Sequence, residues 1–288
     1  MSRLRRLVLI VVIASLAPLG LLADFDRDAS AASGKTVWAV GDGADGGPAA
    51  RALEHLVLGS GPVDRFLYLG DVYATGTRAQ FSRDYRAVYG SLAPVTDATP
   101  GNHEWPRRDQ GYDAYWTSVT GHRTRPYYSL RVGGWQLLSL NSEGPHGARS
   151  RQLRWVRRQV RAPGTCRIAF WHRPLLSAAP HVPDQRDVAP LWDALRGHAV
   201  AVLNGHAHDM QRFRPANGIT EFVDGAGGHR LHPVDGSDPR LAFSNDQSFG
   251  ALRLRLRPGV ADYAFVDAAG RTLDSGRLTC SATARPPA

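Results

Sequence analysis

The sequence predicts an α/β protein built on a two-layer β-sandwich that is flanked by helices. In the first two thirds of the chain, short apolar runs of strand length alternate with segments of helical periodicity. From residue 249 onward, alternating residues and turn signals indicate antiparallel strands. The composition is that of a folded protein, with 43% hydrophobic and 21% charged residues, and its 30 Gly and 19 Pro favour a turn-rich fold.

The first half of the chain predicts three strands and two helices. Residues 35–40 (KTVWAV) and 65–69 (RFLYL) are apolar runs that end directly at Gly-Asp pairs, as strands followed by tight loops do. Residues 48–58 have helical spacing with proline at a plausible first turn, and residues 80–89 form a second helix. Residues 92–96 are predicted to be a third strand, which ends near a Gly-Asn-His-Glu cluster.

The second half continues the alternation of strands and helices. Its predicted elements are two β segments within 127–141, a helix over 149–161, a strand at 167–171, a short helix at 190–196 and a strand at 199–203. The helix over 149–161 is amphipathic, because Leu153, Val156 and Val160 share one face. Arginines occupy the opposite face, which predicts a solvated surface, with an anion-binding patch as the alternative. They are residues 149, 151, 154, 157, 158 and 161.

The N-terminal 31 residues are excluded from the fold. Three arginines within residues 3–6 precede an uncharged run over 7–23, and small residues follow at 29–31. This pattern predicts a secretory signal peptide, with an N-terminal membrane anchor as the alternative. The expected domain is therefore 32–288, in a protein that is secreted or extracytoplasmic, and that is associated with a membrane only if the segment is retained.

Charge and cysteine content narrow the partners and the compartment. The net charge is +9, which favours anionic ligands such as phosphorylated small molecules. Zinc-finger, RNA-binding and basic-heptad patterns are absent from the sequence, so we expect no specific nucleic acid partner. Cys166 and Cys280 are the only cysteines, and in an exported protein they predict one disulfide, with two buried thiols as the alternative.

The candidate chemistry lies at the ends of the predicted strands. Polar clusters follow five of them: Asp42, Asp71, Asn102-His103, His172 and His206-Ala207-His208. Loops at the carboxyl ends of strands form the ligand sites of open α/β sheets, so these clusters are expected to converge. Carboxylate, amide and imidazole donors without cysteine suit first-row metals such as zinc, iron or manganese.

These clusters resemble the sequence blocks of the calcineurin-like metallophosphoesterases, and the purple acid phosphatase branch most closely. The blocks are Gly41-Asp42, Gly70-Asp71, Gly101-Asn102-His103-Glu104, His172 and Gly205-His206-Ala207-His208. The purple branch is indicated by alanine at position 44, where most of the superfamily has a histidine ligand. It is also indicated by His172-Arg173-Pro174 and by His181, which falls where those enzymes have a histidine facing the substrate. The resemblance implies the four-layer fold of this superfamily.

The resemblance also implies two bound metal ions and a set of roles. Asp71 would bridge the ions, Asp42 and His208 would complete the first site, and Asn102, His172 and His206 would hold the second. A hydroxide between the ions would attack a phosphate monoester, with His103 as the acid for the leaving group and His181 assisting. Glu104 is expected to orient a neighbouring histidine.

Tyr73 departs from the pattern of the purple branch. There the remaining ligand of the first ion is a tyrosine three residues after the bridging aspartate, a position that is Ala74 in this chain. Tyr73 is the candidate ligand, and packing of Tyr73 with water at the metal is the alternative. Six histidines have no motif context and are unassigned: His55, His122, His146, His198, His229 and His232.

Two other functions remain open from the sequence. One is a phosphodiesterase or nucleotide hydrolase that uses the same two ions. The other is a non-catalytic module that binds phosphate or a polymer.

Overall fold

A computed structural model describes residues 34–280, and the predicted signal or anchor segment at 1–31 lies outside them. The described chain contains thirteen strands in two sheets. The strands are β1 Lys35–Val40, β2 Arg65–Tyr68, β3 Thr96–Ala98, β4 Tyr128–Val132, β5 Trp135–Ser139, β6 Cys166–Phe170, β7 Ala201–Asn204, β8 Met210–Phe213, β9 Thr220–Asp224, β10 Leu241–Asn245, β11 Gly250–Arg257, β12 Val260–Asp267 and β13 Thr272–Thr279.

The two sheets are mixed, and their parallel strands carry the motif loops. The first sheet has the order β13-β12-β11-β1-β2-β3, in which β1, β2 and β3 are parallel neighbours. The second has the order β10-β8-β9-β7-β6-β5-β4, in which β5, β6, β7 and β9 run parallel. Loops that follow parallel strands emerge at one edge of each sheet, so this topology gathers the polar clusters.

Helices cover both outer faces, which gives four layers and confirms the predicted fold class. They are α1 Pro48–Gly59, α2 (Arg78–Gln80, a π-helical stretch Phe81–Arg86, and Ala87–Tyr89), α3 Tyr112–Thr120, α4 Arg151–Gln159 and α5 Ala189–Leu195. Apolar residues of α1, α2 and α3 pack on the first sheet, and those of α4 and α5 on the second. Between the sheets lies a core of fully buried side chains such as Leu137, Phe170 and Phe222.

The third strand is not where the sequence predicts it. Residues Gly90–Val95 form a 3₁₀ helix, and β3 begins only at Thr96. Pro94 lacks a backbone N–H and so cannot donate to a strand ladder, which favours a turn at this point. The helix α3 and the strands β8, β9 and β10 were not predicted at all.

The predicted disulfide is present. Cys166, the first residue of β6, is bonded to Cys280, which directly follows β13. The bond joins the two sheets across a sequence separation of 114 residues. Among residues 34–280, no helix is both long and apolar enough to cross a bilayer.

Candidate functional site

The strand ends of the two sheets meet at a single edge, as the sequence predicts. Across the first sheet, the N–H of Asp42 donates to the carbonyl of Gly70 over 3.0 Å. Between the sheets, the Nδ1 of His172 lies 2.8 Å from the carbonyl oxygen of Leu69. Within the second sheet, the N–H of Gly205 donates to the His172 carbonyl over 3.0 Å. These hydrogen bonds hold the polar clusters against one another.

A first group of donors consists of Asp42, Tyr73 and His208. The Tyr73 hydroxyl lies 2.9 Å from the Asp42 Oδ1 and 2.9 Å from the Nε2 of His208. The Asp42 Oδ1 and the His208 Nε2 are 3.4 Å apart. Tyr73 is therefore turned toward the predicted first metal site, although it stands only two residues after Asp71.

A second group consists of Asn102, His172 and His206. The Nε2 of His172 lies 3.0 Å from the Asn102 Oδ1, and the rings of His172 and His206 have centroids 4.8 Å apart. One donor atom each from Asp71, His172 and His206 lies within 4.8 Å of the others, a spacing that could hold a metal ion.

Asp71 lies between the two groups. Its Oδ1 is 3.4 Å from the His172 Nε2, and its Oδ2 is 3.4 Å from the Tyr73 hydroxyl. One carboxylate therefore presents one oxygen to each group, an arrangement in which Asp71 could bridge two metal ions.

Two histidines are oriented as metal ligands usually are. The Nδ1 of His172 faces the carbonyl of Leu69, and the Nδ1 of His208 faces the carbonyl of Arg230 at 2.9 Å. A carbonyl oxygen only accepts, so each Nδ1 carries a hydrogen, and in the neutral ring Nε2 presents its lone pair to the site.

The glycines of the motifs allow the backbones to approach the carboxylates closely. A Cβ at Gly101 would lie 2.1 Å from the Asp71 Oδ1, and one at Gly205 would lie 2.6 Å from the Asp42 Oδ2. Asp42, Asp71 and His206 themselves adopt left-handed backbone with φ of 60°, 69° and 71°. Such conformations are costly for residues other than glycine, and they cluster at functional sites.

The prediction that Glu104 orients a histidine is wrong. Its buried carboxylate accepts hydrogen bonds from three backbone N–H groups, those of Asp71, Val72 and Gly101 at 3.2, 3.0 and 2.7 Å. Glu104 thus joins the loop after β2 to the loop after β3. The position of Glu104 next to His103 in the sequence did not reveal these backbone partners.

Buried carboxylates and imidazoles of the site shift one another's pKa values. Burial lowers the pKa of His172, but the charge and hydrogen bond of Asp71 outweigh burial and raise it to about 10. Burial raises the pKa of Asp71, yet His172 and His103 bring it well below its ordinary value. Burial also raises the pKa of Tyr73, and Asp42 and Asp71 raise it further.

The pKa values of His206 and His208 are shifted in opposite directions. Burial lowers the pKa of His206 to about 2, with His172 and Arg173 adding to the effect. Burial also lowers the pKa of His208, but Asp42 more than compensates and the net shift is upward. The fit to two adjacent cations rests on the donor types, which are carboxylate, imidazole, amide and phenol groups gathered around Asp71.

The candidate acids lie at different distances from these donors. The Nε2 of His103 is 3.7 Å from the Asp71 Oδ2, and its Nδ1 is 2.7 Å from the carbonyl oxygen of Ala74. His181 is exposed, and its ring centroid is 5.2 Å from that of His232. His232 in turn stacks on His208 at 4.5 Å. His181 therefore lies at the periphery of the site.

Two site histidines were missed from the sequence. His229 stacks on Tyr73 with ring centroids 3.9 Å apart, and His232 contacts His208. Both follow β9, a parallel neighbour of β7. Because this strand was not predicted, the residues after it were not recognised as belonging to a strand end.

Comparison with known proteins identifies related chains. The sequence model described as calcineurin-like phosphoesterase matches residues 35–210. A curated relative, tartrate-resistant acid phosphatase type 5 of the pig, Sus scrofa, is 28% identical over 136 residues. That match covers 44% of this chain and 40% of the pig protein, so the chain aligns with less than half of that relative.

Solved structures show the same fold. The purple acid phosphatase PPD1 of yellow lupin, Lupinus luteus, superposes with a TM-score of 0.72 at 16% identity, over 89% of this chain and 57% of the lupin chain. GAP50 of Plasmodium, described as the anchor in the inner membrane complex, has a TM-score of 0.70 at 13% identity, over 85% of this chain and 88% of that one. At these identities the likeness is one of fold alone.

Proposed function

The chain belongs to the calcineurin-like phosphoesterase family, and on that premise we propose that it is an exported hydrolase of phosphate monoesters that uses two metal ions. The observation that carries the proposal is the position of Asp71, whose two oxygens face two separate groups of metal donors. The proposed ligands are Asp42, Asp71, Tyr73, Asn102, His172, His206 and His208. When bound, the cations would stabilise the negative charge of the phosphoryl oxygens as Lewis acids.

His103 is the proposed acid for the leaving oxygen. Its Nδ1 donates to the carbonyl of Ala74, which fixes the ring and leaves Nε2 at the site. With its side chain 34% exposed, the ring can reach a bound ester and take a replacement proton from solvent.

Near His206, Arg173 pairs with Glu143 at 2.9 Å, so it orients the loop rather than offering an unpaired charge to substrate.

Export is supported by the disulfide. Disulfides persist in oxidising compartments and are rare in the cytosol, and Cys166–Cys280 joins both sheets of this domain. Together with the basic and apolar N-terminal sequence, it favours a secreted or extracytoplasmic protein.

A monoester substrate is favoured by the similarity to an acid phosphatase. A phosphodiesterase would use the same donors, and the loops around them would decide between the two leaving groups. A non-catalytic role is the third reading, since GAP50 shares the fold and is described as an anchor. The assembled donor groups and the adjacent His103 favour catalysis.

The test uses chelated protein reloaded with iron, zinc or manganese. We expect about two metals per chain, and hydrolysis of p-nitrophenyl phosphate well above that of bis(p-nitrophenyl) phosphate. Asp71→Asn should lose metal and activity, whereas His55→Ala, in an exposed histidine on α1, should keep both. Faster hydrolysis of the diester than of the monoester would show that the chain is a phosphodiesterase rather than a phosphomonoesterase. Failure of the wild-type chain to bind any of these metals would refute the enzymatic function.

A further inference from the structure

Tyr73 is held in the site by aromatic contacts on two sides. The imidazole of His229 lies parallel to its ring, with centroids 3.9 Å apart and an interplanar angle of 17°. The ring of His103 meets it edge-on at 4.6 Å. Tyr73 is only 6% exposed, and its hydroxyl reaches Asp42 and His208. The ring is therefore confined while its hydroxyl points at the first donor group.

His229 is itself fixed to the loop that carries Asp42. Its backbone N–H donates to the Asp42 carbonyl over 2.9 Å, and its Nδ1 lies 3.3 Å from the Oδ2 of Asp45. The other oxygen of Asp45 accepts from the N–H of Gly47 at 2.8 Å. The imidazole plane is thus set by the ends of β1 and β9, independently of Tyr73.

We propose that His229 is a positioning residue that holds the Tyr73 hydroxyl at the first metal site through ring stacking. The inference rests on the proposed metal-dependent function. Tyr73 follows Asp71 by two residues, whereas the tyrosine ligand of the purple branch is expected three residues after the bridging aspartate. The side chain of Tyr73 therefore leaves the loop one residue earlier than expected. A ring packed against its face restricts the side chain to the rotamer that brings the hydroxyl to Asp42 and His208.

The size of the effect follows from two general observations. Outer partners that orient metal ligands change metal affinity by about 10–100-fold when they are removed. Stacking is a weaker restraint than a hydrogen bond to the ligand, so we expect the lower end, about tenfold, when the His229 ring is removed. The second donor group does not include Tyr73, and its affinity should change by less than about threefold.

The test measures zinc affinity of the metal-free full chain by calorimetric titration, together with the visible tyrosinate band of the ferric form. His229→Ala should weaken one of two zinc sites about tenfold and reduce the band. His229→Phe keeps an aromatic ring without the Asp45 contact, and should stay within about threefold of wild type. His55→Ala is the matched control.

A double-mutant cycle separates positioning from a general loss of structure. In the Tyr73→Phe background the hydroxyl is gone, so His229→Ala should change zinc affinity by less than about twofold. If the full effect of His229→Ala persists in that background, or if His229→Phe binds as weakly as His229→Ala, stacking on Tyr73 is not its role. Unchanged affinity in His229→Ala also overturns the proposal. Absence of zinc, iron and manganese binding by the wild type would instead refute the proposed function.

Discussion

Removing the Cys166–Cys280 disulfide should lower the stability of the domain strongly without altering the site. The bond closes a chain segment with a sequence separation of 114 residues, which includes α5 and the strands from β7 to β13. The chain-entropy relation for a loop of this length predicts a loss of about 4.8 kcal/mol when the bond is absent. With the usual unfolding entropy per residue, a domain of this size should melt about 9 °C lower.

The assay is guanidinium unfolding followed by tryptophan fluorescence. It compares oxidised wild type, reduced wild type and the Cys166→Ala/Cys280→Ala double variant. Cys166 is 4% exposed, so alanine is preferred to serine, which would bury an additional hydroxyl group. Reduced wild type and the double variant should agree if the cross-link is what matters, because both lack it. A difference between the two would indicate lost packing at the thiols.

The site serves as the internal control for this prediction. His172 follows β6 at the end of the strand opposite Cys166, so metal content and activity at 25 °C should stay within about twofold of the oxidised protein. Oxidised and double-variant proteins that unfold within about 1 kcal/mol of each other would refute the loop-entropy reasoning for this bond.

Three further predictions concern buried carboxylates and the metals. Glu104→Ala leaves three buried N–H groups without their acceptor, so it should lower the free energy of unfolding, measured in urea, by at least about 3 kcal/mol. A loss below about 1 kcal/mol would show that Glu104 is dispensable as a link between the loops. Burial raises the pKa of Asp97 to about 6 against the opposing charge of Arg65. Between about pH 4 and 6 the native state therefore binds more protons than the unfolded state, and the free energy of unfolding should fall by about 3 kcal/mol as the pH rises through this window. Urea unfolding of Asp97→Asn at pH 3.5 and pH 7 should lack this fall, and an identical pH slope in the variant would contradict the assignment. Chelation should abolish phosphatase activity and cost about 2.7 kcal/mol of stability for each site that had been held at 100 times its Kd, with recovery of both on adding metal back.

Much of the site could be predicted from the sequence because its signals are local. A short, largely apolar strand that is followed within two residues by a polar donor is recognisable from local sequence, and this pattern located Asp42 and His172, while the similar segment 65–69 located Asp71. Helical periodicity likewise predicted α1 and α4, whereas the Cys166–Cys280 disulfide was predicted from the count of two cysteines and the expected export. The third strand was misplaced because the apolar run over 92–96 did not reveal that Gly90–Val95, with Pro94 inside it, forms a 3₁₀ helix before β3.

What the sequence alone determined is the donor chemistry and its attachment to strand ends, since both follow from residue types and short-range periodicity. Only the tertiary structure decided how these donors are oriented. The Tyr73 hydroxyl meets His208 across a separation of 135 residues, and it is stacked by His229, which follows a strand that was not predicted. Glu104 likewise binds amides more than thirty residues earlier as well as that of Gly101. Such contacts depend on strand pairing within a sheet and on the packing of the two sheets, which bring distant segments together and which no local pattern encodes.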